Sequence, residues 1–162
     1  MSTKFSFFGV LILMMGVYSV VAEEIEFLPC SRNTTILQQC TINKVYVNPC
    51  PEARAAEPEP CQLPKGTNST VVFDFTPNFE SKSLSAQAYS ETFLIDLPMP
   101  GQDTNACHFT SCPTVPGKKQ TFAYTLEIKD YYPEAEYTSK WKLWNENDEV
   151  CCFKTKIKIV SV

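Results

Sequence analysis

One histidine, His108, and eight cysteines, Cys30, Cys40, Cys50, Cys61, Cys107, Cys112, Cys151 and Cys152, are the side chains of this 162-residue chain best suited to nucleophilic or metal chemistry. Their spacing favours neither. A Ser-His-Asp or Cys-His arrangement needs an imidazole free to reach a nucleophile, and His108 sits directly after Cys107, inside the short Cys107 to Cys112 interval. A structural zinc site needs two C-x-x-C-like arms or two histidines, and the chain has neither. There is no glycine-rich phosphate loop and no nucleophile elbow. Asp74 and Glu127 fall on the polar side of alternating segments, and nothing pairs them for acid–base work on a glycoside. The expectation is a protein with no catalytic residues, no metal and no cofactor.

The cysteines therefore point to cross-linking. The first residues, MSTKFSFFGVLILMMGVYSVVA, carry a single basic residue, Lys4, then an apolar run that is short for a membrane span, then small residues ending at Ala22. This reads as a secretory signal over residues 1–22, with a single mature domain over residues 23–162 that acts outside the cell or in an endosomal or lysosomal lumen. Two sequons, at Asn33 and Asn68, fit glycosylation on that route. An even number of cysteines in a secreted chain reads as four disulfides. Proximity suggests Cys50 with Cys61 and Cys107 with Cys112. The other four either tie the N-terminal segment to the far end of the chain or join Cys151 to its neighbour Cys152, a strained vicinal bridge that we discount. The formal net charge of −4, with no basic run, argues against a nucleic-acid partner.

The elements that hold these cysteines have a period of two. The stretch NPCPEARAAEPEPCQLPKG cannot be helical, because Pro51, Pro58, Pro60 and Pro64 each remove a donor, and it has too little apolar content for a core strand. On either side of it the pattern is clean. Val45 and Val47 alternate with polar neighbours, as do Val71, Phe73 and Phe75. Phe122, Tyr124, Leu126 and Ile128 share one face, and Phe153, Thr155, Ile157 and Ile159 share another, opposite Lys154, Lys156 and Lys158. Leu84 to Tyr89, Tyr137 to Trp144 (with Trp141 and Leu143 inward) and a short segment at Ile25 to Leu28 complete about seven strands. Half-buried antiparallel strands without a helical stripe predict an all-β sandwich of two sheets in one domain.

Several motifs occur in a fixed order: VYVNPCP and PCQLPKG before an alternating strand, then LPMP, C…CP, YYP, a W-x-L strand and CCF-x-x-x-I-x-I. Together they resemble the ML lipid-recognition domain family, from about Val45 to the C-terminus, and in particular its secreted cholesterol-transferring members. The resemblance implies an immunoglobulin-like β-sandwich that holds a sterol or other lipid in a cavity between its sheets. It assigns Cys50–Cys61 and Cys107–Cys112, places Cys152 at the family's last-strand position with Cys30 as its partner, and leaves Cys40 and Cys151 as an additional bridge. Cys40 lies nearer than Cys30 to the family's usual distance from Cys50, so these two partners are exchangeable at this stage. The family's contacting aromatic falls at Met99, and its apolar residue and tyrosine ahead of a proline fall at Ile128 and Tyr132.

Joined to the inward parity, the resemblance gives Phe73, Phe75, Met99, Tyr124, Leu126, Ile128, Tyr132, Trp141 and Phe153 as the lipid contacts. Shielding about 400 Å² of apolar ligand surface is worth about 10 kcal/mol before association costs, enough for binding without a charged contact. The implied partners of this monomer are one sterol or other lipid and, transiently, a membrane surface or a membrane sterol transporter. The family's docking knob falls at Thr92 to Ile95. The alternative is a secreted recognition module for bacterial or other amphiphiles in innate immune or chemical sensing. That would want cations at the mouth, and Lys118 and Lys119 lie in a turn where they could meet a rim.

Overall fold

A computed structural model describes residues 22–30, 39–57 and 59–161. Nearly all of the expected signal segment, and the Asn33 sequon, lie outside these residues. Ten strands lie among the described residues: β1 (Glu23–Glu24), β2 (Leu28–Pro29), β3 (Cys40–Asn48), β4 (Cys61–Pro64), β5 (Asn68–Pro77), β6 (Ser85–Glu91), β7 (Asp96–Pro98), β8 (Gln120–Glu127), β9 (Ala135–Trp144) and β10 (Val150–Val160). They form two sheets, β1-β3-β5-β8 and β2-β10-β9-β6-β7, with β4 also paired to β10. The chain is an all-β, immunoglobulin-like sandwich.

The long strands form where the sequence alternates, because one row of side chains leaves water while the other stays solvated. In β5, Ser69, Val71, Phe73, Phe75 and Pro77 are buried and the residues between them are not. The β9–β10 ladder, running antiparallel from Val150↔Trp144 to Ile159↔Ala135, gives the second sheet its spine. Trp141, Leu143, Phe153 and Ile159 point from this spine towards the first sheet and are almost fully buried.

Three segments differ from the sequence reading. Residues 48–66 are not all loop: Pro51–Arg54 forms a 3-10 turn, and Cys61–Pro64 is a strand whose Leu63 is 3% exposed. The prolines are tolerated because β4 is an edge strand, hydrogen-bonded on one side only. It also breaks the expected all-antiparallel pattern by running parallel to β10, from Ile157↔Cys61 to Val160↔Pro64. The single strand expected at Ile25 to Leu28 is instead a crossover, with β1 paired to β3 in one sheet and β2 paired to β10 in the other. The third difference is β7, three residues on the edge of β6.

Four disulfides join Cys30 to Cys152, Cys40 to Cys151, Cys50 to Cys61 and Cys107 to Cys112. The Cys40–Cys151 bridge ties β3 in the first sheet to β10 in the second. Cys50, just beyond β3, is tied to the first residue of β4. The Cys50–Cys61 loop therefore also staples one sheet to the other.

The registers set which loops share an end. Glu91↔Thr138, Ile159↔Ala135, Val160↔Pro64 and Asn68↔Glu127 place residues 65–67, 92–95 and 128–134 together, opposite the end that carries Cys40–Cys151. Two hydrogen bonds fasten this end, from Gly66 N–H to Ile128 O at 2.7 Å and from Ile128 N–H to Thr67 O at 2.8 Å. Gly66 has a φ of +71°, a left-handed turn conformation that glycine adopts at no steric cost.

Candidate functional site

All nine expected lipid contacts meet in one cluster between the sheets. Phe73, Phe75, Tyr124, Ile128, Trp141 and Phe153 are buried, whereas Met99, Leu126 and Tyr132 are partly buried and pack against them. The aromatic members touch directly: Phe73 lies 4.9 Å from Phe122 in a stack and 4.9 Å from Phe153 edge to face, and Trp141 lies 6.2 Å from Phe73 and 6.1 Å from Tyr124 between ring centroids. Such contacts add about 0.5–1.5 kcal/mol per pair beyond area burial. The side chains close on one another here. The partly buried trio marks where the cluster reaches solvent, along the β7 and β8 edges and the end with residues 128–134.

The wall between those two edges is residues 99–112, which sequence pattern alone did not place. Met99 N–H donates to Ala88 O at 2.9 Å and Ala86 N–H to Thr104 O at 2.9 Å, so the segment continues the β6 edge. Between these bonds the chain bulges, and the Gln102 side chain takes over from backbone, its Oε1 accepting from Ala88 N–H at 2.7 Å. The wall reaches the other sheet through the Tyr124 hydroxyl, which accepts from Asp103 N–H at 3.0 Å, and through Ala123 N–H donating to Phe109 O at 3.1 Å. Phe109 then covers Tyr124 edge to face at 4.6 Å. The Tyr124 hydroxyl is thus engaged by backbone. Burial pushes the Tyr132 phenol above its ordinary pKa, so it stays a neutral hydroxyl over a wide pH range.

His108 ends a short 3-10 turn, Ala106–His108, on the outside of this wall. Its Nδ1 lies 2.7 Å from Asp103 Oδ2, and Asn105 Nδ2 lies 3.0 Å from its Nε2. The His108 contact, then the Asn105 N–H, hold the Asp103 carboxyl below the usual carboxylate range. These contacts fix loop shape. Asp74, on the outer face, accepts from Thr121 Oγ1 at 2.6 Å and lies 3.2 Å from Lys119 Nζ, which places Lys119 away from the rim. Lys154 pairs with Glu91, and Lys156 with Glu136 at 3.0 Å, both on the outer face of β10. Among the described residues no group of three or more side chains of the metal-ligating kinds comes together.

A cleft of about 540 Å³ lies on the opposite side of the molecule, where β10 passes from β2 to β4. Ile25, Phe27, Leu28, Ala53 and Pro60 line it, with Glu24, Glu26, Glu59, Lys154 and Lys156 around it, and none of the nine expected contacts takes part. On the end with residues 128–134, Phe93 is fully exposed and Leu94 is 83% exposed, followed by exposed Ile95, Leu97 and Tyr131. Asn68, the acceptor of the second sequon, is exposed at the start of β5.

Sequence reasoning missed Gln102, Asp103 and Phe109, whose stretch has no periodicity to read. It also missed Ser69, which a backward extension of the Val71-Phe73-Phe75 alternation would have found.

Comparison with known proteins agrees with this geometry. The family model described as ML domain matches residues 24–159. The chain is 43% identical over 122 residues to an MD-2-related lipid-recognition protein of Manduca sexta, covering 74% of this chain and 76% of that one. It is 31% identical over 147 residues to the NPC intracellular cholesterol transporter 2 of Sus scrofa, covering 88% and 90% respectively. Among solved structures, a Niemann-Pick type C2 protein from the Japanese carpenter ant superposes with a TM-score of 0.68 at 20% identity, over 84% of this chain and 100% of that one.

Proposed function

The chain belongs to the ML domain family of lipid-binding proteins, and we propose that it is a secreted carrier that encloses one sterol-like lipid between its two sheets and releases it to membranes. Members of this family are not enzymes, and neither is this one. The observation that carries the reading is the convergence of nine large side chains, from both sheets and the loops beside them, on one inter-sheet cluster, with Met99, Leu126 and Tyr132 at its edge. The pig relative's name specifies cholesterol transport, which fits a body of this size and apolarity.

On this reading the ligand enters by parting Met99, Leu126 and Tyr132 and takes the place of aromatic contacts that the closed form makes with itself. That exchange keeps the ligand-free protein from leaving a large apolar void, which would forfeit dispersion contacts. Hand-off needs only contact and release. Phe93 and Leu94, exposed at the same end, meet the receiving membrane or a membrane sterol transporter. A signal segment over residues 1–22, carbohydrate on Asn68 and four disulfides all suit an oxidising extracellular or lumenal compartment.

The 43%-identical moth protein, named for lipid recognition, favours a second reading: display of an amphiphile for immune or chemical sensing. The ion pairs that occupy Lys119, Lys154 and Lys156 on outer faces argue against a charged headgroup at the mouth. Native mass spectrometry of the disulfide-intact protein with cholesterol, phospholipid, oleate and lipid A separates the two. We expect a saturable one-to-one cholesterol adduct that Ile128→Ala or Tyr132→Ala weakens in folded protein. A preference for a charged amphiphile would select the second reading, and no adduct with any of the four would overturn both.

A further inference from the structure

Resting on the carrier reading above, we propose that Ser69 is the polar anchor of the inter-sheet site, and that the lipid it selects ends in an uncharged hydroxyl. Ser69 is the second residue of β5, on the inward face with Val71, Phe73 and Phe75, and is 2% exposed. Its register partner on β8 is Leu126, one of the side chains at the edge of the cluster, and Val71 beside it pairs with Tyr124. The Ser69 hydroxyl has no hydrogen-bond partner among the described residues. Its neighbour shows the contrast: Thr70, facing outward, meets Thr125 hydroxyl to hydroxyl at 2.9 Å. A buried hydroxyl without a partner is costly, and in an otherwise apolar wall it is the kind of group that a ligand's polar atom satisfies.

The position fixes the ligand's orientation. Ser69 lies at the end of the sandwich with residues 65–67 and 128–134, so the polar end of the ligand rests there and its apolar body extends towards Phe73, Trp141 and Phe153. The charge pattern fixes the chemistry. At this end Lys65 is paired with Glu134, Lys129 with Glu127, and Lys158 alternates outward along β10. A buried carboxylate or phosphate would meet no free cation among these, and burying an unpaired charge is far more costly than burying a hydroxyl. Ser69, by contrast, both donates to and accepts from an alcohol.

The test compares cholesterol with cholest-5-ene, the same skeleton without the hydroxyl, and oleyl alcohol with oleate, by equilibrium binding to the disulfide-intact protein and to Ser69→Ala. We expect cholesterol to bind about tenfold more tightly than cholest-5-ene, the scale of one hydrogen bond in a dry site, and oleyl alcohol to bind more tightly than oleate. Ser69→Ala should bring the sterol ratio close to one by weakening cholesterol alone, and Ser69→Thr should restore it. Both sterols binding alike to the unmodified protein, or the ratio surviving Ser69→Ala, would overturn the anchor and leave the carrier reading standing. Oleate binding above oleyl alcohol would overturn the uncharged class. If neither sterol nor either C18 lipid binds, the carrier reading fails and the anchor with it.

Discussion

Cys30–Cys152 and Cys40–Cys151 are nested, and nesting makes a quantitative demand on what each contributes. Their sequence separations are 122 and 111 residues. Taken alone, closing either loop lowers the entropy of the unfolded chain by an amount equivalent to about 4.8 kcal/mol. Once one bridge exists, however, the other closes a much shorter path. That path runs the ten residues from Cys30 to Cys40, across the existing bridge, and the single step between Cys151 and Cys152. A ring of about a dozen residues is worth about 2.8 kcal/mol. Removing either bridge by paired cysteine-to-alanine changes should therefore cost about 2.8 kcal/mol, and removing both about 7.6 kcal/mol. The excess of the double change over the two single changes is about 2 kcal/mol, and truncation costs common to both cancel in the cycle. Urea unfolding followed by tryptophan fluorescence measures it, with osmolyte added to all four proteins so that the double variant stays within range. Single removals costing about 5 kcal/mol each, or a double removal no worse than the two singles together, would refute the nested-loop reasoning.

Two further outcomes follow from the surface. Asp74 is held below its ordinary pKa first by the Thr121 hydroxyl and then by Lys119, Asp103 by His108, and Glu134 by Lys65. Because these folded values lie below the unfolded ones, the stability they contribute is complete above the usual carboxylate range of about 4 and is lost as pH falls through the lowered values. The urea midpoint at pH 5 should equal that at pH 7 as far as these groups go and drop below pH 4; a fall already complete by pH 5 would contradict the assignment. Phe93→Asp with Leu94→Asp should change stability by less than about 0.5 kcal/mol, since both side chains are solvated. The same change should slow cholesterol transfer to vesicles about tenfold or more while leaving the one-to-one adduct intact, because seating one large apolar side chain in a membrane is worth about 1.5–3 kcal/mol.

The strands that carry the cluster were legible because both sheets bury one face only, so period two in the sequence became inside and outside in the structure. Phe122 and Tyr124 on one strand, with Ile128 just past its end, and Trp141 and Phe153 on two others, lie inward as that parity requires. Cys61–Pro64 was not legible, because its prolines obscured a strand that bonds on one side only. The wall over residues 99–112 was not legible either. It is held by single side chains acting on distant backbone, Gln102 on Ala88 and Tyr124 on Asp103, and such bonds leave no periodic trace. Met99 and Tyr132 came from resemblance to a family, and their place at the edge of the cluster follows from loops whose path pattern cannot give. Alternation also says nothing about how much room lies between two sheets, since a filled sandwich and a ligand-bearing one have the same inward rows.

The stapling of β3 restricts how the molecule can move. Cys40–Cys151 and Cys50–Cys61 fasten this strand to the opposite sheet at points about 20 Å apart along β10, judged from six residues at about 3.3 Å each between Cys151 and Ile157, the partner of Cys61. Two fixed points define an axis. Sliding of one sheet over the other, and straight separation of the pair, are both blocked by covalent bonds. Rotation about that line remains. The far margin, where β7 and β8 are bridged by hydrogen bonds and by Phe109 resting on Tyr124, is free to gape. The sandwich is thus bound like a book, with its spine sewn along β3 and its pages opening on the side where Met99 and Leu126 lie.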